Sequence, residues 1–189
     1  MLKIVGGKHR GRAIAAPAGE ATRPTASRAR EALFNILAHA NWSGDGTSPL
    51  IEARVLDAFA GSGALGLEAL SRGAVHATFL DNEATAIKLI GENVAKLGET
   101  AAAKVVRADA TRPPPSREAC DLAFLDPPYR SGLAARALTA LAEAGWLKGG
   151  AIATVELANS EDLITPPRFE AIDERRYGAA KIMILRYAP

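Results

Sequence analysis

The sequence predicts an α/β fold: a mostly parallel sheet with helices on both faces and an antiparallel finish. Three observations predict it. From residue 54 onward, short apolar runs alternate with segments of helical period, a βαβα rhythm. Gly61-Ser62-Gly63-Ala64-Leu65-Gly66 fits G-x-G-x-x-G and stands between the first such run and the helix after it. Asp57, Asp81 and Asp109 stand at or near the ends of three successive strand segments, which brings three acids to the carboxyl edge of the sheet.

A chain of 189 residues fits one domain with a small appendage. Its 48% apolar content supplies a real core. No run of about 18 apolar residues occurs, so no membrane span is expected. The first residues, Met1 to Gly7, lack the apolar core of a signal peptide, and a cytoplasmic location is expected. The single cysteine, Cys120, forms no internal disulfide, supplies no zinc site, and reads as a buried thiol. The net charge is +2, unevenly spread: residues 1–31 carry seven Lys/Arg against two acids, a net +5, leaving −3 for the rest. A basic arm on a mildly acidic body fits a polyanionic partner.

Residues 2–5 and 12–16 are apolar runs around Gly6-Gly7-Lys8-His9-Arg10-Gly11, a β-hairpin with a basic tip. Residues 18–25 form a turn-rich linker. A helix is expected over 27–39, where Ala29, Leu33, Ile36 and Leu37 make one apolar stripe. Residues 41–48 read as loop. Strands follow at 55–59, 77–81, 104–107, 121–125 and 151–157. The helices between them run from the glycine turn to 71, from 83 to 97 and from 134 to 144. Residues 111–115, rich in proline, are a connecting loop. Strands at 169–175 and 181–186 flank Tyr177-Gly178 and give the antiparallel finish. No internal repeat is visible.

The glycine turn alone also fits a dinucleotide enzyme, with Asp81 as its ribose acid. Asp57 points elsewhere. A carboxylate beneath the turn would crowd a pyrophosphate, but it suits a ligand with a cationic amino-acid end, such as S-adenosylmethionine. Asp109 suits an adenine amino group and Asp81 the ribose hydroxyls. The candidate cofactor residues are Asp57, Phe59, Gly61, Ser62, Gly63, Gly66, Asp81, Asn82, Asp109 and Ala110.

Asp126-Pro127-Pro128-Tyr129 follows the apolar strand Leu122-Ala123-Phe124-Leu125. Two prolines stiffen the loop, because each fixes φ, removes a donor and restricts its predecessor. The loop offers a carboxylate, free carbonyls and an aromatic face. That set suits a planar base with an exocyclic amino group: Asp126 and a carbonyl accept the two N–H hydrogens, and Tyr129 stacks on the ring. Asp126, Pro127, Pro128 and Tyr129 are the candidate catalytic residues. The chemistry requires no metal, and His9, His39 and His76 share no ligand spacing.

These motifs resemble a Rossmann-like, class I S-adenosylmethionine-dependent methyltransferase. Asp-Pro-Pro-Tyr is similar to the signature of enzymes that methylate exocyclic amino groups of bases. The blocks from Ile4 to Arg12, Arg23 to Thr25, Arg28 to Asn35 and Asp57 to Ala69 together resemble the bacterial 16S rRNA guanine-N2 methyltransferase family, nearly over the whole chain. The longer segment 42–53 departs from that pattern. The resemblance implies a seven-stranded sheet with an antiparallel last strand, and methylation of the 2-amino group of one guanine in small-subunit rRNA. It also implies a ribosomal particle as partner. Lys8, His9, Arg10, Arg12, Arg23, Arg28 and Arg30 are the candidate RNA contacts, with some near the active site; a structural pairing of Glu31 with an arginine fits the 28–31 block equally well. The expected division is an RNA arm at 1–26 and a methyltransferase domain at 27–189, acting as a monomer. Two rivals share parts of this reading: a DNA adenine or cytosine amino-methyltransferase and a non-catalytic RNA-binding assembly factor. A nicotinamide oxidoreductase is disfavoured by Asp57.

Overall fold

The computed structural model describes residues 2–17, 24–40, 42 and 47–189. After a short hairpin, β1 (Leu2–Lys3) and β2 (Ala13–Ile14), comes helix α1 (Pro24–His39). The chain then alternates: β3 (Arg54–Ala58), α2 (Ala64–Ser71), β4 (His76–Asp81), α3 (Ala84–Leu97), β5 (Ala103–Arg107), β6 (Cys120–Leu125), α4 (Leu133–Glu143) and β7 (Leu147–Ala158). It ends on β8 (Phe169–Tyr177) and β9 (Ala180–Tyr187).

The sheet has seven strands in the order β5-β4-β3-β6-β7-β9-β8. The first five are parallel, and β9 runs antiparallel to both neighbours. Val55, Leu56, Asp57 and Ala58 are all buried, as a central strand covered on both faces requires. Alternation divides the core. Val55, Leu122 and Phe124 face α1, α2 and α3 through Phe34, Leu67 and Ile90. Leu56, Ala123 and Leu125 face α4 through Leu138 and Leu141. The edge strand β8 is guarded by charge, with Glu170, Glu174, Arg175 and Arg176 exposed, and by a register shift between Ala171 and Asp173. Cys120 opens β6, and burial pushes its thiol up to about 11, which leaves it inert. No helix among the described residues is long and apolar enough to cross a membrane.

Three expectations are corrected. Helix α1 starts at Pro24 rather than residue 27, because proline at the first helical position has no N–H to leave unpaired. Strand β7 is longer than 151–157, reaching back to Leu147. The boundary drawn at 26/27 falls inside α1, and the hairpin is docked on the domain. Ile4 and Ile14 are each 2% exposed and join the core. Burial of each contributes roughly 1.5–3 kcal/mol.

The docking has a specific anchor. Glu68 of α2 is fully buried and accepts from Val5 N and Gly6 N, each at 2.7 Å, while Arg72 Nε donates to it at 2.7 Å. The Ser71 hydroxyl accepts from His9 N at 2.9 Å. Gly7 (φ 73) lies so close that a Cβ would stand 1.8 Å from the Ser71 carbonyl oxygen. The Gly-Gly pair at the hairpin tip therefore serves contact with α2. Within the segment that departs from the family pattern, Leu50 is buried and Trp42 O accepts from Arg186 at 3.0 Å.

Candidate active site

The strand order reverses between β3 and β6, so two parallel strands leave the sheet side by side there. Such a switch point opens a crevice at the carboxyl ends. Ala58 pairs with Leu125, which brings Phe59 and Asp126 out of the sheet at one level, about one strand spacing (~5 Å) apart. The glycine turn and the Asp-Pro-Pro-Tyr loop thus flank one crevice.

The turn after β3 is left-handed at Phe59 (φ 63), Gly61 (φ 54) and Gly63 (φ 76). Phe59 has a Cβ and stores strain there, as residues at functional sites often do. The three motif glycines divide their work. A Cβ on Gly61 would meet nothing within 4 Å, so a ligand has room to approach the backbone. A Cβ on Gly66 would stand 2.4 Å from Phe79 Cε1, so Gly66 lets α2 lie close on the sheet. Asp57, 1% exposed, accepts from Gly66 N at 2.8 Å. Burial pushes its carboxyl up to about 7, against the Gly66 amide and with the help of the Asp81 charge.

Asp81 accepts from Gly61 N at 2.8 Å and from Glu83 N at 2.9 Å, so it stitches the turn to the end of β4. Asn82 is exposed beside it. Asp109 is exposed beyond β5, and one of its oxygens accepts from both Thr111 N and Oγ1 at 2.8 Å. Those bonds hold its carboxyl below the ordinary range. Ser62 and Ala110 are buried. The expected cofactor residues lie in the turns and strand ends of β3, β4 and β5, along one sheet edge, except Gly66, which lies in the first turn of α2.

Across the crevice Pro127 is buried, while Asp126, Pro128 and Tyr129 are exposed. The buried proline seats the loop and leaves the carboxylate and ring accessible. The Tyr129 hydroxyl donates to Glu156 Oε1 at 2.8 Å. Burial raises the Glu156 carboxyl, opposed by that hydrogen bond and by the Arg30 charge.

The expected RNA contacts separate into groups. Arg10 and Arg28 are exposed. Lys8 is exposed yet paired with Glu99 at 2.7 Å. Arg12 donates to Lys96 O at 2.5 Å and Leu97 O at 3.3 Å, closing the carboxyl end of α3. Arg23 lies outside the described residues. Two assignments are corrected. His9 turns inward: its Nε2 lies 2.5 Å from Glu99 and its side chain is 11% exposed, so it is spent on the fold rather than on phosphate. Burial pushes the Glu99 carboxyl up, but the bonds and charges of Lys8 and His9 outweigh it and hold it low. Arg30 is 7% exposed and donates to Lys3 O at 2.9 Å. Its charge interacts with Glu68 and Glu156, which makes it an internal link between α1, the hairpin and the Tyr129 side of the crevice.

Sequence reasoning missed Glu156 and Asn93. Asn93 of α3 accepts from Ala15 N at 2.8 Å and donates to Ala15 O and Ser62 O, each at 2.9 Å. It ties the hairpin to the glycine turn. Arg30 offered a signal: it stands four residues before buried Phe34, on the same helical face.

The chain is similar to known proteins along almost its whole length. A family model described as Conserved hypothetical protein 95 matches residues 2–186. Ribosomal RNA small subunit methyltransferase D of Haemophilus influenzae is 36% identical over 182 residues, covering 94% of this chain and 89% of that protein. The protein of the same name from Escherichia coli K12 is 37% identical over 167 residues, covering 88% and 79%. The solved structure of yhhF from Escherichia coli superposes with a TM-score of 0.81 at 34% identity, covering 99% of this chain and 98% of that one. With the sheet order and the turn-and-loop crevice, these likenesses establish the Rossmann-like class I methyltransferase fold, and the chain belongs to the ribosomal RNA small subunit methyltransferase D family.

Proposed function

We propose that this protein transfers a methyl group from S-adenosylmethionine to the exocyclic 2-amino group of a guanine in small-subunit rRNA. The observation that carries the reading is the register of β3 against β6, which brings Phe59, at the start of the glycine turn, level with Asp126 and leaves the buried Asp57 two residues below on β3. The similar proteins named as rRNA methyltransferases support methyl transfer, and the donor's chemistry suits the site: S-adenosylmethionine brings an electrophilic methyl on a sulfonium and a cationic amino-acid end.

The residues present fit that donor. Gly61 leaves its approach open, and the buried Asp57 gains from a cation that restores its ionised form. Asp81 and Asp109 remain able to accept from ribose and adenine, because a carboxylate offers about four acceptor sites. On the other side, the guanine amino lone pair is delocalised into its ring. Asp126 and the Pro127 carbonyl accept its two N–H hydrogens and orient the nitrogen as it pyramidalises toward the methyl. Such positioning supplies up to roughly 7–11 kcal/mol in well-oriented systems. Tyr129 stacks on the base, worth roughly 1–3 kcal/mol. The proton leaves to Asp126 or to water. In this reading the protein acts as a monomer on a ribosomal particle, and Arg10 and Arg28 contact phosphate.

Asp57 links donor binding to pH. Its folded-state carboxyl is raised to about 7, so the free protein holds that proton up to neutrality. A bound cation expels it. Donor affinity should therefore rise from pH 6 to pH 8 with proton release, detectable by calorimetry in buffers of different ionisation enthalpy. Asp57→Asn should remove the pH dependence. For the free protein the sign is opposite: stability gained by holding the proton is lost as pH rises through about 7. Asp81→Ala should weaken donor binding by about 10–100-fold, since it removes charged acceptors and frees Gly61 N as well. Unchanged affinity by calorimetry would remove Asp81 from the site.

The reading is tested with donor labelled in the methyl group, offered with small ribosomal particles, bare small-subunit rRNA or DNA. Label is expected in the rRNA. Label in DNA alone would favour the DNA amino-methyltransferase, and no turnover the assembly factor.

A further inference from the structure

We propose that the open cleft beside Tyr129 binds the phosphodiester of the single-stranded RNA that flanks the target base, with Arg130 as its phosphate contact. The proposal rests on the rRNA-methylation reading for the identity of the strand. The cleft has a volume of about 780 Å³ and is lined by Tyr129, Arg130, Asn159, Ser160 and the Gly178 turn between β8 and β9. Small-ligand sites run about 300–1,000 Å³, so a nucleotide fits.

Its lining holds a cation and no acid. Arg130 makes no ion pair among the described residues; its guanidinium donates one long hydrogen bond, 3.4 Å, to the Ser160 hydroxyl. Four of its five N–H donors are thus left for an anion. The backbone under it is built. Arg130 is left-handed (φ 58), and its N–H donates to Glu161 Oε2 at 2.9 Å. That carboxylate also accepts from Ala158 N at 3.4 Å, so it joins the loop to the end of β7. A strained residue that packing over-determines is a mark of function. The turn between β8 and β9 lines the cleft with two small residues, Gly178 (φ 62) and Ala179. Tyr129 is 44% exposed and borders both the cleft and the crevice. A base drawn onto Tyr129 carries its own phosphates past Arg130, and a guanidinium fork suits phosphate oxygens.

The test measures fluorescence anisotropy of a labelled single-stranded RNA decamer against graded potassium chloride. It compares the wild type with Arg130→Asn, which tolerates the left-handed backbone, Arg130→Lys, which keeps the charge, and Asn159→Asp, which sets an acid in the cleft. Arg130→Asn should weaken binding and lower the slope of log K against log salt by about 0.7, one phosphate contact on a single strand. Arg130→Lys should keep the slope, and Asn159→Asp should weaken binding with Arg130 intact. Wild-type affinity and slope in Arg130→Asn would overturn the proposal, as would wild-type RNA binding that is insensitive to salt. The two readings fail separately. A protein that methylates rRNA with Arg130→Asn binding unchanged loses the cleft only. A protein that methylates no rRNA yet shows the Arg130-dependent slope loses the substrate reading only.

Discussion

Asp126→Ala is expected to lower kcat by about 10²–10³-fold, the loss seen when one group aimed at developing charge is removed. Donor affinity should hold, because Asp57 on β3, Gly61 in the turn after it and Asp81 at the end of β4 lie across the crevice. The fold should hold too. Asp126 is exposed, while the flanking Leu125 and Pro127 that seat the loop are buried. Asp126→Asn separates the two duties of the carboxylate. It keeps an acceptor oxygen and loses the base, so activity between wild type and Ala assigns orientation as the main duty. Single-turnover methyl transfer measures all three proteins, and retained turnover in Asp126→Ala would remove Asp126 from the chemistry.

Glu68→Ala is expected to cost about 3–5 kcal/mol, the loss when one member of a buried ion pair is removed. Three donors lose their acceptor together: Val5 N, Gly6 N and the Arg72 guanidinium, which lies over Phe34 at 5.2 Å. In a chain of this size the melting temperature should fall by about 6–20 °C. The hairpin should loosen first, and hydrogen exchange should report it at Val5 and Gly6. Because Asn93 couples Ala15 to Ser62, donor affinity should fall along with stability. An unchanged melting temperature would mean that the hairpin is not anchored there.

These predictions differ in how legible their residues were. Asp126-Pro127-Pro128-Tyr129 and the glycine turn are short, contiguous patterns, and proline and glycine act on the backbone locally. The parallel core was legible because β3 and β6 carry apolar runs, Val55-Leu56 and Leu122-Ala123-Phe124-Leu125, buried on both faces. Glu68, Asn93 and Glu156 were not. Each works on a partner 27 to 78 positions away, a relation that periodicity does not encode. The basic arm misled for a related reason. Net charge counts Lys8, Arg12 and Arg30 as free, but folding spends them on Glu99, the end of α3 and the Lys3 carbonyl. Arg130 went unnoticed as a lone cation after the motif, since its left-handed backbone and its cleft exist only in the folded chain.

The central claim is that the Asp126 loop directs methyl transfer to a guanine amino group of small-subunit rRNA. The most direct test digests small-subunit rRNA to nucleosides after reaction with the protein and methyl-labelled donor, and identifies the labelled product by mass spectrometry. The expected result is label in N2-methylguanosine, formed about 10²–10³-fold more slowly by Asp126→Ala. Label in a methyladenosine or methylcytidine, or N2-methylguanosine formed equally well by Asp126→Ala, would contradict it.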